Sequence, residues 1–196
     1  MPALVFATAN PNKVREIQAK LGDAYAFRSL RDIGCREAVP ETSPTLEGNA
    51  LQKARYVAER YGVDCFAEDS GLEVDALRGL PGVDTAHYAG PQRDAEANMR
   101  KVLEGLGDAP DRRARFRAVI ALVRAGREPQ LFEGAVEGRI ARGMRGDGGF
   151  GYDPIFVPEG HDATFAELPQ AVKKEISHRS RAVAKLVAYL REQYEA

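Results

Sequence analysis

The chain begins with a short apolar run that constrains its fold more than any other segment. Residues 3–8 read ALVFAT and lie just before the pair Asn10-Pro11, a pattern typical of a buried strand that leads directly into a helix. Asn10 suits the N-cap and Pro11 the first helical position, and Gly22 is the predicted end of this helix. A strand–loop–helix start predicts an α/β protein.

Helical patterns recur further along the chain. Apolar side chains fall on one helical face over residues 46–61 and again over residues 95–106, which predicts two amphipathic helices. A last helix is predicted to run to about Tyr194. Residues 28–45 hold few apolar side chains and two prolines, so we expect an exposed and partly irregular segment there. The buried stripe expected on the last helix is Val183, Leu186, Val187 and Leu190.

Strand patterns lie between these helices. Residues 65–67 and 72–74 are apolar pieces on either side of a predicted turn at 69–71. Residues 116–123 form a strong strand pattern, and residues 132–140 alternate between apolar and polar positions. Because a glycine-containing connection joins these last two runs, they predict a long antiparallel hairpin.

Charge and cysteine content narrow the possible functions. The chain holds 28 Lys and Arg residues against 29 Asp and Glu residues, so a site for a polyanion has to be a local cluster. The cysteines, Cys35 and Cys65, form no CxxC motif, which fits a reducing cytoplasm. The sequence shows no signal-peptide pattern and no apolar run of about 18 residues. We therefore expect a cytoplasmic protein without nucleic-acid or membrane partners.

The segment between the first strand and the first helix is a candidate phosphate site. Backbone N–H groups and the positive end of a helix favour anions at such a position. Lys13 lies in the first helical turn, where a cation opposes the helix dipole unless an anion is nearby. An ordinary capped helix with a surface lysine explains the segment equally well. The candidate residues are Thr8, Ala9, Asn10, Pro11, Asn12 and Lys13.

Two adjacent carboxylates, Glu68 and Asp69, form a candidate metal site with Glu41 as a third acidic residue. Carboxylates that converge without a cation are costly, so such a cluster binds a metal or has raised pKa values. Mg²⁺ takes one or two carboxylates together with the phosphates of a substrate. The alternative is that Asp69 and Ser70 only form a turn.

A glycine-rich loop at residues 143–151 leads into the aromatic segment Phe150-Gly151-Tyr152-Asp153. An aromatic ring on a loop whose backbone is accessible can stack on a nucleobase. The alternative is that Phe150 and Tyr152 pack in the core beside an Asp-Pro turn. In either case we expect one of the two rings to be buried.

Three hydrogen-bond donors lie close together in Lys173, His178 and Arg179. Donors suit a carbonyl at position 6 of a purine and disfavour an amino group there, since arginine has no acceptor. The alternative is a solvated basic start to the last helix.

These groups occur together and in order, and in this arrangement the chain resembles the inosine triphosphate pyrophosphatase family. The similarity spans nearly the whole chain, and seven motifs with matching gaps are specific although each alone is modest. The motifs are T-x-N-x-x-K at 8–13, the acidic segment at 40–42, G-N-A-x-x-K-A at 48–54, E-D-S-G-L at 68–72, G-x-P-G at 79–82, G-G-F-G-Y-D-P-x-F at 148–156 and K-x-x-I-S-H-R at 173–179.

The chain departs from the family pattern at four positions. Ala9 stands in place of a glycine, Glu68 in place of an aspartate, Gly48 in place of a glutamate and His87 in place of an arginine. Glu68 keeps the charge on a longer side chain. His87 weakens any phosphate contact at its position, so it is not assigned to the site.

The resemblance implies an α/β fold of the Maf/ITPase-like type. In it a single domain over residues 1–196 is elongated into two lobes that share a long mixed central β-sheet, with the active cleft between the lobes. The resemblance also implies a homodimer and Mg²⁺ as the cofactor. The implied reaction converts a nucleoside triphosphate and water into the monophosphate and pyrophosphate, with ITP, dITP and XTP as substrates.

The family pattern also implies a role for each candidate residue. Glu41, Asp69 and Glu68 would hold Mg²⁺, and Asp69 would be the base that activates or orients water. Phe150 would stack on the purine. Lys13 and Lys53 would bind the triphosphate with Thr8, Asn10 and Ser70, while Lys173, His178, Arg179 and Asp153 would contact the edge of the base.

Two alternatives remain open at this point. A Maf-like pyrophosphatase of modified pyrimidine nucleotides shares the fold and the reaction, but the F-G-Y-D-P and S-H-R motifs argue against it. A non-catalytic nucleotide-sensing or RNA-binding module would bind without turnover. Glu41, Asp69 and the two lysines argue against that module, because simple binding does not need them all.

Overall fold

A computed structural model of the protein describes residues 3–21 and 25–195. The strands are β1 Ala3–Phe6, β2 Ala26–Ser29, β3 Cys65–Val74, β4 Arg113–Val123, β5 Gln130–Ile140 and β6 Phe156–Pro158. The α-helices are α1 Pro11–Leu21, α2 Leu46–Tyr61, α3 Ala95–Leu106, α4 Gln170–Ile176 and α5 His178–Glu195. Short 3₁₀ helices cover Asp75–Leu77, Gly82–His87 and Asp153–Ile155.

The strands form one sheet in the order β2-β1-β3-β4-β5-β6. β1 runs parallel to β2 and β3, whereas β6 runs antiparallel to β5. The sheet is therefore mixed, and helices accompany it along the chain, which confirms the predicted α/β class with a mixed central sheet.

The chain divides into two compact units, each with its own aromatic core. Unit 1 comprises Met1–Asp69, Val119–Glu133 and Ala182–Ala196, and unit 2 comprises Ser70–Ala118 and Gly134–Arg181. In unit 1 the rings of Phe6 and Phe66 stack with centroids 4.6 Å apart. In unit 2 Phe116, Phe156 and Phe165 pack together with the buried face of α3. Burial of such rings is the main favourable contribution to each core.

Helix boundaries follow local signals in the sequence. The Asn10 side chain accepts the Asn12 N–H at 2.9 Å at the start of α1, as predicted for an N-cap. Thr45 Oγ1 accepts the Gly48 N–H at 3.0 Å at the start of α2, and Gly62 ends this helix at a φ of 63°. A positive φ favours glycine, so Gly62 is the residue expected there. The predicted helices over 46–61 and 95–106 are confirmed.

The last helix also follows its predicted pattern. Val183, Leu186 and Leu190 are buried on α5 and Val187 is partly buried. A break at Ser177 separates α5 from the short helix α4, which the sequence pattern did not reveal. The predicted helix end at Gly22 lies outside the described residues. In the described part of the chain, no helix is long and apolar enough to cross a membrane.

The predicted turn at residues 69–71 is wrong, because β3 runs without interruption from Cys65 to Val74. Gly71 is needed for another reason. A Cβ at this position would lie 2.3 Å from the carbonyl oxygen of Gly82, so a side chain would collide with neighbouring backbone. The glycine permits a close approach within unit 2 and does not reverse the chain.

The irregular segment predicted for residues 28–45 is only partly correct. Residues 26–29 form β2, which pairs in parallel with β1 over its whole length. The four residues include Arg28 and Ser29 and show no strand pattern of their own, so their pairing comes from the neighbouring strand. Leu30 and Cys35 are buried, whereas residues 38–43 have no regular structure.

The predicted hairpin strands are neighbours in the sheet, with residues 124–129 connecting them. Val136 and Ile140 of β5 are buried, whereas Glu137 and Arg139 between them are exposed. This alternation confirms that one face of β5 packs on the core of unit 2.

Candidate active site

In unit 1, the segment before α1 folds as an exposed cap. The Thr8 hydroxyl accepts the Asn10 N–H at 3.1 Å, and Asn10 Oδ1 accepts the N–H groups of Asn12 and Lys13 at 2.9 and 3.4 Å. Asn10 therefore occupies two of the N–H groups that were predicted to face an anion. Lys13 supplies the positive charge at this helix end. Ala9, Pro11 and Asn12 are exposed on the same segment.

Lys13 is paired with a buried carboxylate. Its Nζ lies 3.6 Å from Glu68 Oε2, and the Glu68 side chain is wholly buried. A cation in the first turn of a helix opposes the helix dipole, and the Glu68 carboxylate compensates for it. This position makes Glu68 a counter-ion of Lys13.

Lys53 of α2 connects the other two predicted acidic residues. Its Nζ donates to Glu41 Oε1 at 2.5 Å and to the Glu68 carbonyl oxygen at 2.8 Å, and it lies 3.8 Å from Asp69 Oδ1. The lysine is buried, whereas the Glu41 side chain remains 42% exposed. Glu41 and Asp69 are thus held around one ammonium group.

The environment of Asp69 raises the pKa of its carboxyl group. Burial raises the pKa of the Asp69 carboxyl, and the charge of Glu41 raises it further. The charges of Lys53 and Lys13 and a hydrogen bond from Asn49 oppose this effect and lower the pKa. The net direction is upward, so Asp69 accepts a proton more readily than an exposed aspartate does.

The predicted metal ligands do not form one compact cluster. In the described residues no group of three or more His, Cys, Asp or Glu side chains is arranged to hold a metal ion. Successive side chains of a strand point to opposite faces, and Glu68 and Asp69 accordingly pair with different lysines. Mg²⁺ needs only one or two carboxylates when phosphates complete its shell. Glu41 and Asp69, both oxygen donors beside the same ammonium, fit that requirement.

In unit 2, Phe150 is exposed beside two buried cations. Phe150 is 49% exposed, whereas Tyr152 is 4% exposed. Lys173 Nζ lies 4.5 Å from the centroid of the Phe150 ring, and Arg179 Cζ lies 5.9 Å from it. The prediction that one of the two rings is buried is confirmed, and the buried ring is that of Tyr152. The accessible ring, with cations near it, is suited to stacking.

Asp153 holds this arrangement together. It is buried, and its carboxylate pairs with Lys173 Nζ and accepts the Phe150 N–H at 3.0 Å. Gly149 has a φ of 70°, and a Cβ there would lie 2.0 Å from Asp153 Oδ2. The Asp153 carboxylate is therefore directed at the loop and at Lys173, where it fixes the position of Phe150.

Tyr152 and Gly151 shape the same loop. The Tyr152 hydroxyl donates to the Thr85 carbonyl oxygen at 2.6 Å, and burial raises its pKa. Gly151 has a φ of 61°, which favours glycine. The loop is thereby tied to the rest of unit 2 directly after the exposed Phe150 residue.

His178 and Arg179 are buried at the start of α5. The His178 ring stacks on Phe116 with centroids 4.9 Å apart and an interplanar angle of 16°. Lys173 is also buried. A solvated basic start to the last helix is therefore excluded, and the three residues are held in fixed positions within unit 2.

Two departures from the family pattern have structural counterparts. A Cβ at Gly48 would lie 1.8 Å from Ser43 Oγ, so the glycine makes room for the segment before α2. The His87 side chain is about half exposed, and its Nε2 lies 3.4 Å from Asp84 Oδ1.

Ser70, a predicted phosphate contact, is partly exposed and follows Asp69 in β3.

Asn49 and Gln52 were not among the predicted site residues. Asn49 is buried on α2, where its Oδ1 accepts the Ser43 N–H at 2.8 Å and its side chain also hydrogen-bonds Asp69. Gln52 bonds to Thr42. Asn49 lies one helical turn before Lys53, and this spacing was the sequence signal that could have identified it. No local signal in the sequence marks Gln52.

Comparisons with known proteins agree with these features. The sequence model of the Ham1 family matches residues 4–189. A Porphyromonas gingivalis protein named dITP/XTP pyrophosphatase is 52% identical over 191 residues, which cover 97% of this chain and 98% of that protein. A Flavobacterium johnsoniae protein of the same name is 50% identical over 187 residues, covering 95% of this chain and 97% of that protein.

Solved structures show the same fold. The Staphylococcus aureus Ham1 protein matches with a TM-score of 0.93 at 39% identity, over 97% of this chain and 99% of that chain. A HAM1 protein from Coxiella burnetii matches with a TM-score of 0.93 at 40% identity, over 98% of this chain and 100% of that chain. Sequence and fold together show that the chain belongs to the Ham1 family.

Proposed function

We propose that the protein hydrolyses ITP, dITP and XTP to the corresponding monophosphate and pyrophosphate, and so removes non-standard purine nucleotides from the nucleotide pool. The observation that carries this proposal is the arrangement of Glu41 and Asp69 around the buried Lys53. Oxygen donors for a divalent cation and a cation for phosphates lie together there. The names of the relatives, dITP/XTP pyrophosphatase, support the substrate class.

The residues of unit 1 act on the triphosphate. Lys13 and Lys53 bind phosphate oxygens, and each leaves its carboxylate partner when it does so. A bound phosphate then takes over the compensation that Glu68 provides to Lys13. The remaining contacts of unit 1 come from Thr8, Ala9, Asn10, Pro11 and Asn12. Ser70, which follows Asp69 in β3 and is the first residue of unit 2, adds another contact to the triphosphate.

Glu41 and Asp69 would hold Mg²⁺, whereas Glu68 serves as the counter-ion of Lys13 until a phosphate binds. When bound, Mg²⁺ neutralises charge on the phosphate oxygens. Asp69 orients the attacking water and accepts its proton at a carboxylate oxygen. The raised pKa of Asp69 supports this role, because a carboxylate with a higher pKa is a better general base.

The residues of unit 2 act on the base. Phe150 stacks on the purine, a contact that every purine can make. Lys173, His178 and Arg179 donate to the edge of the base, where hypoxanthine and xanthine have a 6-carbonyl and adenine has an amino group. Asp153 positions Lys173 and Phe150, and Gly151 and Tyr152 shape the loop.

A homodimer of single-domain chains in the cytoplasm completes the proposal. The homodimer is supported by the family resemblance alone. The cytoplasm is supported by the two unpaired thiols, Cys35 and Cys65, and by a substrate found in nucleotide pools.

Product analysis with ITP and Mg²⁺ tests the proposal. IMP with pyrophosphate is the expected result, whereas IDP with phosphate would place the cleavage at the other phosphate bond. ATP and a modified pyrimidine triphosphate serve as comparison substrates under the same conditions. Faster turnover of the pyrimidine would favour the Maf-like alternative, and binding without turnover would favour a non-catalytic module.

A further inference from the structure

Glu41 lies in a stretch of chain that no secondary structure holds in place. Residues 38–43 belong to no helix or strand, and Glu41 and Thr42 are exposed. A carboxylate on such a segment samples many positions unless other contacts restrain it. The position of Glu41 therefore depends on side chains that bind the segment from outside.

Those contacts come from one face of α2. Asn49 accepts the Ser43 N–H at 2.8 Å, and Lys53 donates to Glu41 at 2.5 Å. Gln52 lies between these two on the helix and contacts Thr42. Residues three and four apart share a helix face, so Asn49, Gln52 and Lys53 meet three consecutive residues of the segment.

Gln52 contacts Thr42 at two points. Its Oε1 accepts the Thr42 N–H at 2.8 Å, and its Nε2 donates to Thr42 Oγ1 at 2.9 Å. Both ends of the amide are used in a fixed orientation, because a flipped amide would present a donor to the N–H group. The backbone next to Glu41 is thereby fixed in position and in rotation.

We propose that Gln52 is a positioning residue for Glu41, which holds the carboxylate where it can bind Mg²⁺. This inference rests on the proposed function, in which Glu41 is a metal ligand. Residues that orient metal ligands from outside contribute about 10-fold or more to metal affinity or activity. Gln52 acts through the Thr42 backbone and needs no contact with the substrate.

The test compares Gln52→Ala with a matched control, Gln18→Ala. Gln18 is exposed on α1 in the same unit, so both changes remove the same side chain from a helix and raise helix propensity alike. In Gln52→Ala we expect the Thr42 amide to exchange about 10-fold faster by NMR. We also expect the Mg²⁺ concentration for half-maximal ITP hydrolysis to rise about 10-fold. The control should leave both quantities unchanged.

Epistasis with Glu41 separates positioning from a purely structural role. In a Glu41→Gln background, Gln52→Ala should change the residual rate by no more than about 2-fold, because its target has already been removed. Equal losses in both backgrounds would overturn the inference. So would unchanged Thr42 exchange, or an unchanged Mg²⁺ requirement, in Gln52→Ala.

Failure of the proposed function gives a different result. If the wild-type protein hydrolyses no purine triphosphate in the presence of Mg²⁺, the proposed function falls and so does this inference. If the wild type is active but Gln52→Ala behaves like the Gln18→Ala control, the proposed function stands and only the inference about Gln52 falls.

Discussion

Two buried lysines, Lys53 of unit 1 and Lys173 of unit 2, each pair with a carboxylate in different surroundings. Both side chains are 10% exposed. The partner of Lys53, Glu41, has a side chain that is 42% exposed, whereas the partner of Lys173, Asp153, is 5% exposed. The first pair can open towards a ligand at little cost, and the second is fixed. Exchange of ionic partners is therefore expected in unit 1, whereas unit 2 holds the Phe150 ring in a rigid setting.

Removal of the divalent cation should have the largest effect on activity. We expect EDTA to abolish ITP hydrolysis and added Mg²⁺ to restore it, because Glu41, Glu68 and Asp69 bring negative charge to a site for a polyanion. The measurement is pyrophosphate release with and without chelator. Full activity in EDTA would mean that the two lysines of unit 1 suffice and that Glu41 is no metal ligand.

Asp69→Asn should have the next largest effect on activity, with kcat lowered by about 10²-fold or more. The change keeps the size of the side chain but removes a charge and a proton acceptor. Steady-state kinetics at saturating Mg²⁺ and ITP measure kcat, and circular dichroism checks the fold. A variant with nearly normal kcat would transfer the role of base to another residue, with Glu68 as the next candidate.

Removal of one carboxylate should affect the stability of the protein much more at the pair in unit 2 than at the pair in unit 1. Asp153→Asn leaves a buried charge without its counter-charge, so we expect the free energy of unfolding to fall by about 3–5 kcal/mol. Glu41→Gln removes a partner that is 42% exposed, and Lys53 keeps the Glu68 carbonyl oxygen at 2.8 Å and Asp69 Oδ1 at 3.8 Å. We therefore expect a change of no more than about 1 kcal/mol.

Denaturant unfolding of both variants and the wild type measures these differences. Glu41→Gln should instead show its effect in the Mg²⁺ dependence of hydrolysis. Equal loss of stability in the two variants would remove the distinction between an opening pair and a fixed one.

Within unit 2, Phe150→Ala and Arg179→Ala should differ in selectivity. Loss of the ring removes a contact that all purines share, so kcat/KM for ITP, XTP and ATP should fall together by about 10-fold. Loss of Arg179 removes a donor that favours a 6-carbonyl, so the advantage of ITP over ATP should shrink by about 10-fold.

The measurement is kcat/KM for the three nucleotides in both variants. The wild type should prefer ITP and XTP over ATP by roughly 10²–10⁴-fold. If Arg179→Ala slows ITP and ATP by the same factor, Arg179 has a structural or phosphate-binding role.

A smaller effect, on stability, is expected from Glu37, which lies directly before the irregular residues 38–43. Glu37 accepts hydrogen bonds from the Tyr61 hydroxyl at 2.8 and 2.9 Å and lies 2.7 Å from Arg60 Nε. The hydrogen bond from its own backbone N–H has the largest effect on the pKa of the Glu37 carboxyl, and the hydrogen bond from the Tyr61 hydroxyl has the next largest. Together they lower this pKa to about 2. A lowered pKa stabilises the fold above the unfolded value of about 4.3, and this stabilisation is lost as the pH falls towards 2.

Glu37→Gln should therefore lower Tm at pH 7, and the difference from the wild type should shrink as the pH falls below about 4. Thermal unfolding at several pH values checks this. A difference that stays constant over the range would show that the Glu37 charge contributes nothing.

Local signals account for the parts of the fold that sequence analysis predicted correctly. Asn10 caps α1 through N–H groups two and three residues away, and Gly62 ends α2 within its last turn. The apolar stripes of α2, α3 and α5 repeat at helical spacing. These features depend on neighbours within a few residues, so a single sequence contains them.

The uninterrupted β3, the strand β2 and the ion pairs were decided only by tertiary structure. Asp69-Ser70-Gly71 has the composition of a turn, but pairing with other strands extends it. The motifs identified Lys53 and Lys173 as site residues, yet their partners lie 12 and 20 residues away in the chain. Contacts at such separations form only after the chain has paid loop-closure entropy, and they depend on packing that no local pattern encodes.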